Sequence, residues 1–189
     1  MPKEPARRAD VVSVLAEAFR EHGYEGASMA VLTEATGLGK GSLYHFFPGG
    51  KDEMAAAVLE DIDRWFRDRV FAPLRSATGA DRAGAREAVD AMLDEVDAYF
   101  RSGRRVCLPG AFALGRERER FEAAVTGYFT HWVDALEQAL RAAGRAAPRA
   151  TAMQILAAVQ GGIVLARALQ DPAAFSAAVA GARALTADA

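Results

Sequence analysis

Lys40, Ser42, Tyr44 and His45 stand within one short window of the chain. Each can donate a hydrogen bond to a phosphate oxygen or a base edge. Leu43 and Phe47, four residues apart, give the same window a narrow apolar stripe. A helix over these residues would bury the stripe and leave the donors open, which is the chemistry of polyanion recognition. Other chemistries find less support. His22, His45 and His131 lie on separate segments without metal-ligand spacing. Cys107 is the single cysteine, with no histidine near it in sequence. No phosphate-cradling glycine motif follows a strand, and no strand is evident. The chain is therefore expected not to be an enzyme and to use no metal or cofactor.

The neighbouring residues position that window. Ser28 is a good N-cap, because its hydroxyl can accept from an orphan backbone N–H. Val31, Leu32 and Ala35 fall on one face of the helix that follows. Gly37 stands where a tight helix–helix turn needs positive φ, and Leu38 re-enters the core. Pro48-Gly49-Gly50 stops the second helix, and Lys51 opens the next. Upstream, Asp10–His22 forms a support helix that buries Val11, Val14, Leu15, Ala18 and Phe19. Glu17, Arg20 and Glu21 are expected to face water, Gly23 to cap the helix, and Tyr24 to pack beneath the turn. Residues 1–8 form an arm whose Lys3, Arg7 and Arg8 suit either a disordered terminus or a contact with DNA.

The stretch from Leu32 to Phe47, LTEATGLGKGSLYHFF, resembles the DNA-reading unit of the tetracycline-repressor (TetR) family, whose pattern runs I-A-x-x-A-G-V-S-x-G-T-L-Y-x-H-F, then a turn and a lysine. Thr33, Gly39 and Phe46 depart from the pattern. One extra residue before Lys51 is shared with the LmrA/YxaF-like subgroup. The resemblance implies DNA contact at Ser28, Gly39, Lys40, Ser42, Leu43, Tyr44, His45 and Lys51. It also implies a homodimer on double-stranded operator DNA, released by a small-molecule effector.

Composition bounds the reading. The chain has 189 residues, 51% hydrophobic and 25% charged, with a net charge of −2. That excludes a bulk nucleic-acid coat, so DNA binding must come from a local patch. From Ala35 to Lys51 the chain carries Lys40, His45 and Lys51 and no acid. A lone cysteine fits a reducing cytoplasm. No run of about 18 uninterrupted apolar residues is present to span a membrane, and none is expected as a partner.

The remainder reads as all-α, with a helix-turn-helix head over 1–51 and a helical effector-binding and dimerisation body over 52–189. Helix 52–71, ended by Pro73, is shared between them as a lever, with Met54 and Val58 toward the head. Residues 76–81 form a break, and 82–102 a helix whose Asp90, Asp94, Glu95 and Asp97 face water. Arg104–Gly115 is irregular, and 117–143 is a long amphipathic helix. An effector pocket is expected among Trp65, Phe66, Met92, Val96, Phe100, Cys107, Phe112, Tyr128, Phe129, Trp132 and Gln160. Such an aromatic stripe is equally the material of a core. The helix 148–170 is apolar nearly all round, so one face should pack on a second copy, with Gly161-Gly162 allowing close approach. A last helix follows Pro172. Met153, Leu156, Gln160, Ile163, Arg167, Phe175, Val179 and Ala182 are the expected dimer contacts, forming a four-helix bundle. A ligand-responsive repressor leads these readings. A DNA-binding scaffold without effector, or an enzyme with an unrecognised site, is the alternative.

Overall fold

The computed structural model describes residues 8–186, and the expected arm contacts of Lys3 and Arg7 lie outside them. Among the described residues the regular structure is helical: α1 (Arg8–Gly26), α2 (Met29–Thr36), α3 (Lys40–Phe46), α4 (Gly50–Phe66), α5 (Ala72–Ser76), α6 (Arg82–Phe100), α7 (Leu108–Leu114), α8 (Glu122–Ala142), α9 (Pro148–Ala168) and α10 (Ala173–Ala184). α1 to α3 form the head. α4 packs on α1 and on α8, so it belongs to both parts. α8, α9 and α10 pack side by side, and α6 closes the body against α8 and α10.

Three expected boundaries change. Pro73 does not end the lever helix. A π-helical segment, Arg67–Phe71, precedes it, and α5 then carries the chain on to Ser76. Proline lacks an N–H, and the wider turn just before it absorbs the break in the ladder. The helix expected from residue 117 starts at Glu122, after a 3₁₀ turn at Arg116–Arg118. Phe121 holds a non-helical backbone (φ −113°, ψ 21°) and buries its ring against Tyr24 and Phe112. The α1 helix breaks at Gly23, as expected, but resumes to Gly26.

The body core is built round Phe66. Its ring lies 4.8 Å from Tyr99, 5.0 Å from Tyr128, 5.1 Å from Trp132 and 6.1 Å from Phe100, centroid to centroid. Phe66, Phe100 and Trp132 are fully buried. Burying one such ring contributes about 1.5–3 kcal/mol, and edge-on aromatic contacts add to it. The aromatic wall expected to enclose an effector is thus filled by its own side chains. Met92, Val96 and Phe112 are likewise packed in the core.

The acidic face of α6 is also less free than expected. Arg183 of α10 pairs with Asp90 and Asp94, and Arg69 pairs with Glu95 at 3.0 Å.

The C-terminal helices correct the expected interface. Phe175 and Ala182 are completely buried within the chain, and Leu156, Ile163 and Val179 nearly so. Gly162 faces α10 of the same chain: a Cβ there would stand 2.7 Å from that of Ala178. The face of α9 left open instead carries Met153, Ala157, Gly161, Val164 and Ala168, with Leu165 and Leu169 beside it. By length and composition alone α9 could cross a membrane, since two glutamines and two arginines only dilute its hydropathy. Here it packs between α8 and α10.

Candidate nucleic-acid interface

The head assembles as its residues dictate. The Ser28 hydroxyl accepts from Val31 N–H at 3.3 Å and caps α2. Gly37 ends α2 at φ 64°, in the left-handed region where glycine carries no Cβ penalty. Gly39 starts α3 without a side-chain cap. Of the apolar face expected on α2, Leu32 is buried and Val31 half-buried, while Ala35 is exposed.

On α3, Leu43 is buried, and Phe47 just beyond it packs into the same core. Lys40, Ser42, Tyr44 and His45 are exposed. The Lys40 ammonium lies 5.8 Å from the Tyr44 ring centroid, a cation–π contact that places the two donors together. Leu43 is a correction among the expected DNA contacts. Its side chain is spent inside the head, because the stripe that seats the helix cannot also face a groove. Lys51 is half-buried. It donates to the Tyr24 carbonyl at 2.9 Å, and its ammonium sits 4.3 Å from the Tyr24 ring centroid. Lys51 thus ties the start of α4 to the end of α1.

Two polar clusters join this head to the body. In the first, the Tyr24 hydroxyl donates to Asp52 and accepts from Arg120 at 2.6 Å, and Arg120 donates to Asp52 at 2.8 Å. Arg120 belongs to the charged run of residues 116–120, just before α8. Burial, then the Asp52 bond, push the Tyr24 pKa up from the ordinary 10.0 to about 12, against the lowering effect of Arg120.

In the second cluster Arg20 is buried, with a side chain only 5% exposed, not solvated as expected. It donates to Val106 O at 3.3 Å, to Glu17 at 2.9 Å and to the Tyr99 hydroxyl at 3.0 Å. Arg105 donates to the same Glu17 oxygen at 2.7 Å. Burial raises the Glu17 carboxyl, but Arg105, Arg20 and Arg101 together outweigh it and hold the carboxyl below its usual range. The sequence spacing Glu17–Arg20 was a visible ion-pair signal on α1. The partners from Tyr99 to Val106 were not, because they lie some 80 residues away in the chain.

The pocket candidates scatter. Trp65 lines a hollow of about 400 Å³ between α1, α4 and α6, together with Arg20, Tyr99 and Arg105. Cys107, Phe129 and Gln160 line a separate apolar groove of about 550 Å³ between α7 and α9. Burial pushes the Cys107 thiol up, and the lowering effects of Gly110, Gln160 and Tyr128 do not lead, so it is a protonated filler, not a thiolate. The Tyr128 hydroxyl, the Trp132 indole N–H and the Gln160 amide nitrogen are buried without a hydrogen-bond partner. Among the described residues no three His, Cys, Asp or Glu side chains cluster to hold a metal.

A head of this kind on a helical body has relatives. Residues 11–58 match the family described as bacterial regulatory proteins, tetR family, and residues 85–180 match the transcriptional regulator LmrA/YxaF-like C-terminal domain. The second match alone spans half of the chain. The chain belongs to the LmrA/YxaF-like branch of the TetR family. It is a DNA-binding transcriptional regulator.

The Bacillus subtilis regulator LmrA is 28% identical over 165 residues, 84% of this chain and 85% of that relative. The repressor KstR2 of Mycolicibacterium smegmatis is 26% identical over 145 residues, 72% of this chain and 67% of that one. Among solved structures, a cysteine mutant of the TetR-family regulator CifR complexed with 26-bp operator DNA superposes with a TM-score of 0.72 at 27% identity, covering 97% of this chain and 98% of its own. A TetR-family regulator from Agrobacterium tumefaciens shares the fold, with a TM-score of 0.77 at 20% identity over 94% and 95% of the two chains.

For this TetR-family head the raised Tyr24 pKa sets a pH dependence. The folded chain holds the phenolic proton more tightly than the unfolded chain does. The stability contributed is therefore complete below pH 10 and is lost as pH rises toward 12. Tyr24→Phe should flatten the decline in urea stability measured between pH 9 and pH 11. An unaltered slope would show that the Asp52–Tyr24–Arg120 cluster does not hold in solution.

Proposed function

We propose that the chain is a ligand-responsive repressor that binds a palindromic operator as a homodimer and is released by a small, mostly apolar effector. The observation that carries the DNA reading is the two-sidedness of α3. Leu43 seats it in the head, while Lys40, Ser42, Tyr44 and His45 stay exposed on a surface with no acid from Ala35 to Lys51. A recognition helix must offer donors to the major groove in this way. CifR, similar over nearly its whole length, has been captured on operator DNA.

In this reading Ser28, Tyr44 and Lys51 lie along the phosphates, and Gly39 lets the backbone approach them. Lys51 gives one N–H to Tyr24 and has two left for phosphate. Lys40 reaches into the groove. Lys51→Ala should then weaken binding to all operators alike and lower the salt slope by about one unit. Lys40→Ala should change which bases are preferred in a binding-site selection. An unchanged slope for Lys51→Ala would make that residue scaffold only.

The homodimer rests on the open apolar face of α9. Val164, Leu165 and Leu169 are each more than half exposed, and Leu114 of α7 is 88% exposed. Contiguous apolar surface of this kind marks an association site, and two copies of α9 and α10 would complete a four-helix bundle. Gln160 and Arg167, on the rim of the groove beside this face, remain within reach of a second copy. Val164→Asp should dissociate the dimer in sedimentation while leaving the circular dichroism helical. Ile163→Asp, which buries the charge inside the chain, should unfold it. A wild type monomeric at micromolar concentration would end the proposal.

The effector would enter the groove between α7 and α9, lined by Cys107, Phe129, Gln160 and Val164. On the far side of α7, Phe112 packs edge-on against Phe19 at 6.5 Å and Tyr24 at 5.8 Å, so displacing α7 displaces α1. The filled core round Phe66 favours a second reading, a scaffold with no effector. Titrating operator DNA against chain treated with candidate apolar effectors separates the two. A repressor should show coupling of about 1–3 kcal/mol, equal in both directions, and a scaffold none.

A further inference from the structure

A hollow of about 400 Å³ lies at the joint between α1, α4 and α6, away from the α7–α9 groove. Arg20, Arg69, Arg101 and Arg105 line it, against the carboxylates of Asp61 and Glu95. Both acids are already engaged: Glu95 accepts from Arg69 at 3.0 Å and Asp61 from Arg64 at 3.1 Å. Arg20, Arg101, Arg104 and Arg105 also wall a second hollow next to it, beside Glu17 and Glu21. Two of these guanidinium groups, Arg20 and Arg105, grip the one Glu17 carboxylate. Among the described residues the Arg101 side chain makes no hydrogen bond or ion pair, only its backbone N–H being used, on Ala98 O, and the Arg105 Nε is buried without an acceptor. Positive charge exceeds negative charge in a partly enclosed space, where Coulomb attraction is less screened than at an open surface.

The remaining wall is aromatic. Trp65 and Tyr99 lie 4.4 Å apart, centroid to centroid, and the Arg105 guanidinium stands 4.6 Å from the Tyr99 ring. Glu17, gripped by Arg20 and Arg105, shows which anion these groups are spaced to hold. Guanidinium donors suit the planar carboxylate, and the volume falls in the range of small-molecule sites.

We propose that this hollow is a binding site for a small aromatic carboxylate, its ring on Trp65 and Tyr99 and its charge on the Arg101 and Arg105 side. The site stands independently of operator binding and of the α7–α9 groove. An occupant would touch α1, α4 and α6 at once, and so would bear on the angle between head and body.

The test is calorimetric titration of the full chain, without DNA, with 2-naphthoate, its neutral isostere 2-naphthamide, and inorganic phosphate. One naphthoate should bind per chain, about tenfold or more tighter than the amide and tighter than phosphate. Arg101→Gln, an exposed position, should bring naphthoate down to the level of the amide with circular dichroism unchanged. Equal affinity for acid and amide, no binding of naphthoate at millimolar concentration, or an acid preference that survives Arg101→Gln would each overturn the site. Phosphate binding as tightly as naphthoate would overturn the aromatic half of the assignment.

Discussion

A charged guanidinium taken out of water must find acceptors for its N–H groups or destabilise the fold by several kcal/mol. Arg20 is that group, and the joint between head and body depends on it. Its acceptors come from α1 itself (Glu17), from α6 (Tyr99) and from the loop before α7 (Val106). Burial lowers its pKa, but an arginine stays protonated at any pH the fold survives. The charge cannot be removed by titration, so only geometry can satisfy it. The relative placement of α1, α6 and the 101–107 loop is thereby fixed to within hydrogen-bond tolerance. Tyr24, Asp52 and Arg120 make a second fixed point one turn further along α1.

The head was legible in the sequence because its signals are local. A cap at Ser28, a left-handed glycine at Gly37 and an i,i+4 pair at Leu43 and Phe47 each act within a few residues, and each is where the spacing put it. Leu43 failed by one step, since it belongs to the stripe and so cannot also be a groove contact, and Val14 and Ala35, expected on buried faces, are exposed. The body was legible as helices but not as surfaces. α9 is apolar on most sides, and periodicity does not say which apolar residues α10 will cover. Phe175 and Ala182 looked available because the partner that buries them is in the same chain. The aromatic residues near Phe66 could have walled a cavity or filled one. Composition does not distinguish these, since the difference is a volume set by segments distant in sequence meeting in space. Arg20 read as solvent-facing for the same reason: its acceptors are far away in sequence.

Charge explains how a chain of net −2 can read DNA. Most of the arginines lie in the body or at its joint with the head, not on the head's open face, and many are matched by carboxylates. Lys40 and His45 stand in a stretch without acids, where the local field can differ in sign from the whole. Affinity from so few cations would be modest for a single head. In the proposed dimer two rigidly spaced heads would supply the rest, which would give the open face of α9 a part in recognition although it touches no nucleotide.

The same geometry decides how a ligand could act. α4 runs from the head into the body, yet it is held along its length by α1 and α8, and its Phe66 is locked among six rings. A helix so embedded is a poor element to tilt first. α7 is short, exposed at Leu114 and backed by a groove on one side. Its other side meets Phe19 and Tyr24 of α1. The arginine joint meets α1 one turn away, through Glu17 and Arg20. A shift of either α7 or the 101–107 loop therefore acts directly on α1, the helix on which α2 is braced. α1 is a common path, and in the proposed dimer its position relative to the body would set the spacing of two recognition helices.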